Sequence, residues 1–325
     1  MENQITLKEY KPFSYNFIRA YIITMRPYLM FVSGITGLAG ISFSSSESEL
    51  RLILIFIASF LSYGFGQALT DCFQIDTDSI SSPYRPLTQH IVSIKSFLII
   101  SVLGLTFCVT VFGIYNPLNF ILGFIAGAGL ATYTFFKRRW WGGPFYNAWI
   151  VSDLFIISYL AGINEHSFSA AVIFTILSVF FGYANFVLSG YFKDISADRA
   201  TGYNTLLVKF GKKISAITSD IFALLFVLFS LLTILSLKNS YSANDLPLIL
   251  FFLAGLSYSI YAQFKLHKVK TDEGAFTAIA PVVHAYILLL SSITLASHPE
   301  WWIPIVIFYS GYLIVLKIRP AKEQV

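Results

Sequence analysis

The chain has 325 residues, 56% of them hydrophobic and only 12% charged, with a formal net charge of +5. A soluble globular protein carries about 25% charged residues, so this composition excludes an ordinary soluble enzyme and points to an all-α polytopic membrane protein. Cys72 and Cys108 fit no metal-ligand spacing and no disulfide framework.

The N-terminal stretch "MENQITLKEYKPFSYNF" lacks the apolar run of a signal peptide. Residues 1–19 are therefore read as a cytoplasmic segment, 20–317 as one transmembrane domain and 318–325 as a cytoplasmic tail. Ten apolar spans follow one another: 20–43, 51–70, 94–113, 117–136, 147–163, 170–192, 214–237, 246–264, 277–297 and 300–317. Each is close to the roughly 20 residues that cross a bilayer, and none alternates as a barrel strand does. With the N-terminus inside, all of the 22 basic residues except Arg51 and Lys238 fall on the cytoplasmic side. So one-sided a distribution obeys the positive-inside rule and puts both termini in the cytoplasm. Topology thus explains the basic residues, and no nucleic-acid partner is called for.

At the end of the second span comes "GQALTDCFQIDTDSISSPYRPL". Gln67, Asp71, Gln74 and Asp78 are spaced as one stripe of a continuing helix, with Asp76 pointing elsewhere. At the end of the sixth span comes "SGYFKDISADRATGYNTLLVKFG", where Asp194 and Asp198 share a face and Lys193 and Arg199 flank them. Carboxylates on one face repel unless a cation separates them, and the repulsion is less screened beside a bilayer. Paired carboxylates suit Mg²⁺, which binds through one or two of them plus substrate phosphates. Interleaved Lys and Arg suit phosphate oxygens. The pattern implies a diphosphate gripped with Mg²⁺ near the cytoplasmic face; a water-facing helix end is the alternative for either cluster alone.

Taken together, these segments resemble the UbiA superfamily of intramembrane prenyltransferases. The family's NDxxDxxxD and P-x-R-P stand here as "TDCFQIDTD" and "SSPYRPL", its DxxxD as "DISAD", and its Y-x-x-x-K as "YTFFK", Tyr133 to Lys137. The resemblance runs over about residues 20–297. It implies a bundle of nine transmembrane helices, to which the sequence adds a tenth at the C-terminus. It also implies Mg²⁺ as cofactor and an isoprenoid diphosphate donor entering from membrane lipid. By this likeness the metal ligands are Asp71, Gln74, Asp78, Asp194 and Asp198, and the diphosphate contacts are Lys137, Lys193, Arg199 and Arg85. Tyr133 serves as hydrogen-bond donor or cation stabiliser. Gln67 and Asp76 are further candidates at the first motif. Two departures stand out: Thr70 replaces the family's Asn and Gln74 its middle Asp, which predicts a weaker first metal site.

Other polar residues lie within spans. Asp153 is either a functional intramembrane carboxylate or the partner of a basic residue. Asn185 and Ser189 either line a cavity or bond between helices. Asp220 is read as interfacial and His284 as a packed histidine. The expected activity is transfer of a prenyl group to a small acceptor (aromatic ring, lipid headgroup or polyene). The alternative is a terpene cyclase that needs no acceptor. A transporter is more remote, because the acidic motifs sit at helix ends rather than mid-membrane.

Overall fold

The computed structural model describes residues 9–44, 48–163, 168–238, 240 and 242–320. The expected loop "NEHS" and, of the terminal segments, residues 1–8 and 321–325 lie outside these residues. The described chain is helical: α1 (Tyr15–Met25), α2 (Pro27–Ile41), α3 (Glu49–Asp71), α4 (Ile75–Ser81), α5 (Ile94–Tyr115), α6 (Leu118–Arg139), α7 (Gly143–Gly162), α8 (Ala170–Gly190), α9 (Ile195–Ala200), α10 (Leu206–Leu237), α11 (Leu246–Leu266), α12 (Phe276–Ser297) and α13 (Trp302–Ile318). Helices are the expected solution, since hydrocarbon offers no partner for an open backbone group. Among the described residues nine helices are long and apolar enough to cross a membrane, or ten if α1 and α2 count as one bent span. This is the architecture of a multi-pass membrane protein.

The first span is not one helix. It bends by 54° at Arg26. Pro27 disfavours the helical conformation for the residue before it, and Arg26 takes φ 52° there. The expected continuous stripe from Gln67 to Asp78 is broken as well. The helix ends at Asp71, Phe73 and Gln74 close tight turns onto the Thr70 and Asp71 carbonyls, and α4 restarts at Ile75. The second acidic segment repeats this design: α8 ends, Tyr191–Lys193 forms a single 3₁₀ turn, and α9 begins at Ile195. The short helices α4 and α9 pack together, with Thr77 Oγ1 3.1 Å from Thr201 Oγ1. The seventh span starts earlier than its apolar run, at Leu206, because Gly211 bends α10 with φ 79°, a conformation side chains oppose.

The helix α12 is the hub. Its membrane window is 94% buried, and it packs against α2, α8, α10 and α11. Tyr286 ties it to α2 through Thr36 at 2.8 Å. By contrast α13 is 11% buried and rides on the outside, resting through Phe308 and Tyr312 on Phe31 of α2. It is the expected tenth span, an addition to the bundle.

Candidate active site

The ends of α3 and α8, the loop after α4 and the last turns of α6 surround one cavity. Its wall includes Gln67, Thr70, Asp71, Gln74, Asp78, Arg85, Tyr133, Lys137, Lys193 and Asp194. Residues from both acidic segments therefore face a single space. Arg26, which sequence reasoning counted only as a topological charge, lines it too. The left-handed bend at Arg26 brings its guanidinium to Asp71, with Nη2 2.9 Å from Oδ2 and 3.3 Å from Oδ1. The Arg-Pro pair inside an apolar run was the available signal.

The two segments are wired differently. Asp71 accepts from Arg26 and, at 2.6 Å, from Gln67 Nε2. Arg85 Nη1 lies 2.6 Å from Asp78 Oδ2 and 4.0 Å from Asp71 Oδ2, bridging them. Burial raises the Asp78 carboxyl above its ordinary range despite the Arg85 charge. Burial alone would discharge Arg85, but Asp78 and Asp71 outweigh it and hold the guanidinium firmly charged. The Thr70 hydroxyl donates to the Gln67 carbonyl of its own helix at 3.0 Å, so it offers the cavity little.

In the second segment Lys193 Nζ stands 3.2 Å from Asp194 Oδ1, and Lys137 Nζ 3.4 Å from Asp198 Oδ1. Neither contact is a well-formed hydrogen bond, and Asp194 Oδ1 and both Asp198 oxygens are buried with lone pairs unfilled. Burial opposes the charge on Asp194, but Lys193, Lys137 and Arg85 together hold its carboxyl below the usual range. For Asp198 burial prevails over Lys137 and lifts the carboxyl to about 6. Lys137 also reaches Gln74 Oε1 at 3.3 Å and stands over the Tyr191 and Tyr203 rings, linking the segments. Tyr133 shares a 2.7 Å hydrogen bond with Tyr191.

Several expected residues stay apart from the cavity. Asp198 is fully buried behind Lys137 and is not part of the wall. Arg199 is exposed and lines a neighbouring cavity instead. Asp76 turns outward to Arg138 and Tyr203. Asn185 accepts from Ser219 of α10, which is the helix-bonding role, and Ser189 donates to its own helix. Asp153 is buried in a separate aromatic groove between α7 and α8 that also involves Trp149 and Phe180; among the described residues no salt bridge pairs it with a basic side chain. Asp220 meets His267, and His284 bonds Tyr309 while stacking on Tyr258.

The residues fit a shared hard cation. Among the described residues no three His, Cys, Asp or Glu side chains converge into a metal cage of their own. Asp78, Asp194 and the Gln74 amide nevertheless bring oxygen donors to one cavity, and the Asp194 oxygen is unsatisfied. Mg²⁺ is commonly held in this way, with phosphate completing its shell.

A second cavity runs on from the first. Tyr63, Gln67, Thr70, Asn147 and Tyr183 line both. Beyond them the walls turn apolar, with Leu105, Phe112, Leu130, Ile150 and Leu154 from α5, α6 and α7. A charged chamber that opens into an oily one matches a ligand with a diphosphate head and a hydrocarbon tail.

Comparison with known proteins agrees. The model of the UbiA prenyltransferase family matches residues 30–280. The chain belongs to this family. Its α13 lies beyond the matched residues. A digeranylgeranylglyceryl phosphate synthase of Thermococcus kodakarensis is 28% identical over 219 residues, covering 66% of this chain and 78% of the relative. The synthase of the same name from Pyrococcus horikoshii is 24% identical over 252 residues, covering 71% and 82%. Among solved structures, a UbiA homologue from Aeropyrum pernix K1 superposes with a TM-score of 0.67 at 15% identity, covering 81% of this chain and 96% of that one. One from Archaeoglobus fulgidus bound to GPP and Mg²⁺ gives 0.61 at 14%, covering 84% and 99%. This UbiA member is therefore a prenyltransferase-type enzyme.

Proposed function

We propose that this UbiA protein transfers the prenyl group of an isoprenoid diphosphate, with Mg²⁺, to a membrane lipid acceptor bearing a glyceryl phosphate headgroup. The observation that carries this reading is the continuity of the charged and apolar cavities across Tyr63, Asn147 and Tyr183. Lys137, Lys193 and Arg85 bind the diphosphate oxygens, while Asp78, Asp194 and Gln74 hold Mg²⁺ with Asp71 behind them. When bound, the ion supplies Lewis-acid neutralisation of the departing diphosphate. Asp198 acts through Lys137 by fixing its ammonium. The Tyr63 and Tyr183 rings flank the junction where the allylic cation forms, and aromatic faces stabilise such charge. Tyr133, held by Tyr191, orients its hydroxyl toward the same space.

Two observations support a phosphorylated acceptor. The relatives are named as glyceryl phosphate synthases. A second polar cavity, lined by Arg199, Lys212 and Lys270, adjoins the first through Lys193 and Phe276. The one-sided distribution of basic residues supports a cytoplasmic orientation for this end of the bundle. The test is incubation of purified protein with labelled prenyl diphosphates, Mg²⁺ and prenylated glyceryl phosphate. Ether-linked product is expected; a cyclic hydrocarbon formed without acceptor would assign the protein to the cyclases instead.

A further inference from the structure

The apolar cavity has a measurable depth. From Asn147, at its junction with the charged chamber, to Ile157, its far wall residue on α7, the helix advances ten residues, which is about 15 Å. An extended isoprene unit spans about 5 Å from its bond lengths. The cavity thus admits about three units beyond the one that reacts.

Three glycines line this cavity, Gly66, Gly123 and Gly127. A methyl group on Gly123 would come within 2.6 Å of Val109, and one on Gly66 within 3.2 Å of Leu130, so both serve helix packing. A methyl group on Gly127 would meet nothing within 4 Å. The bare backbone at Gly127 is therefore not required by a neighbouring side chain; it keeps the cavity clear. Gly127 lies six residues along α6 from Tyr133, about 9 Å further from the charged chamber. A side chain there would stand beside the second or third isoprene unit.

We infer that Gly127 is the residue that keeps this cavity open to the distal isoprene units of the donor, so that the accepted chain length is gauged there. The inference rests on the prenyl-transfer reading. Its test is kcat/KM for C10, C15 and C20 diphosphates with one acceptor, in wild type, Gly127→Ala and Gly127→Leu. Wild type should favour C20. Gly127→Leu should cut the C20 value roughly tenfold or more, since even one methylene in an apolar pocket is worth about 10–200-fold, while the C10 value falls by much less. Gly127→Ala, which suits a helix better than glycine, should fall between and remains decisive if the leucine variant does not fold. An equal loss for all three donors, or an unchanged C20 preference in both variants, would overturn the gauge. Wild-type protein that transfers no donor at all would instead overturn the transfer reading beneath it.

Discussion

The two acidic segments occupy equivalent places, each a turn and a short helix after a long apolar one, yet they are neutralised by different chemistry. In the first, every aspartate meets a guanidinium: Asp71 meets Arg26 and Arg85, Asp78 meets Arg85, and Asp76 meets Arg138. In the second, Asp194 and Asp198 form their ion pairs with the ammonium groups of Lys193 and Lys137, and the Arg85 guanidinium acts on Asp194 only through its charge. A guanidinium fork fills carboxylate lone pairs with directed hydrogen bonds, whereas an ammonium acts as a point charge. The first segment is consequently tied down. The second keeps buried oxygens open, and on the proposed reading its Asp194 is the metal ligand least committed to a protein partner.

Breaking the open half should have the largest effect. Asp194→Ala should lower prenyl transfer by about 10³-fold, the upper range for losing one electrostatic stabiliser of a transition state, in protein that still unfolds cooperatively; retention of more than a tenth of the activity would refute the assignment. Breaking the tied half should act on stability first. Arg26→Ala strands the Asp71 charge beside the bilayer and should cost about 3 kcal/mol, read as a lowered unfolding midpoint in detergent. If Asp71→Asn in that background restores none of it, the pair is not what holds the bend.

Smaller changes sharpen the contrast. Gln74→Asp adds a charged ligand to the poorer half and should lower the Mg²⁺ concentration for half-maximal activity several-fold, as added ligand charge tightens a hard-cation site. An unmoved midpoint would show that Gln74 does not limit metal binding. Arg199→Ala should raise the acceptor KM a few-fold, a surface charge being worth about 1 kcal/mol or less, with donor KM unchanged. A rise in donor KM would place Arg199 on the diphosphate after all. Asp76→Ala, which removes an exposed pair with Arg138, should shift stability by less than about 1 kcal/mol.

Much of this molecule is legible in sequence because the bilayer allows few solutions. The apolar runs marked all but the first and seventh spans to within a few residues, and the one-sided basic residues separated the last two. The missed features are those in which a local signal is overruled by a distant partner. The helical spacing from Gln67 to Asp78 is genuine, but Asp71 and Asp78 fold back onto Arg85, and the helix breaks between them. Arg26 reads as a topological anchor until the Arg-Pro bend turns it onto a residue 45 positions away. Asp198 sits at a suggestive spacing, yet its place on α9 hides it behind Lys137, whereas Asn185 takes the helix-bonding one of its two expected roles, accepting from Ser219. Asn147 and Tyr63, ordinary residues in apolar helices, gained significance only when both cavities met at them.

The most direct test is the product spectrum of purified protein in bilayers given a C20 prenyl diphosphate, a prenylated glyceryl phosphate and Mg²⁺. The expected result is one ether-linked, doubly prenylated lipid per diphosphate released, lost on chelating the metal and in Asp194→Ala. Diphosphate release that proceeds equally without acceptor, or product formation that survives Asp194→Ala, would contradict it.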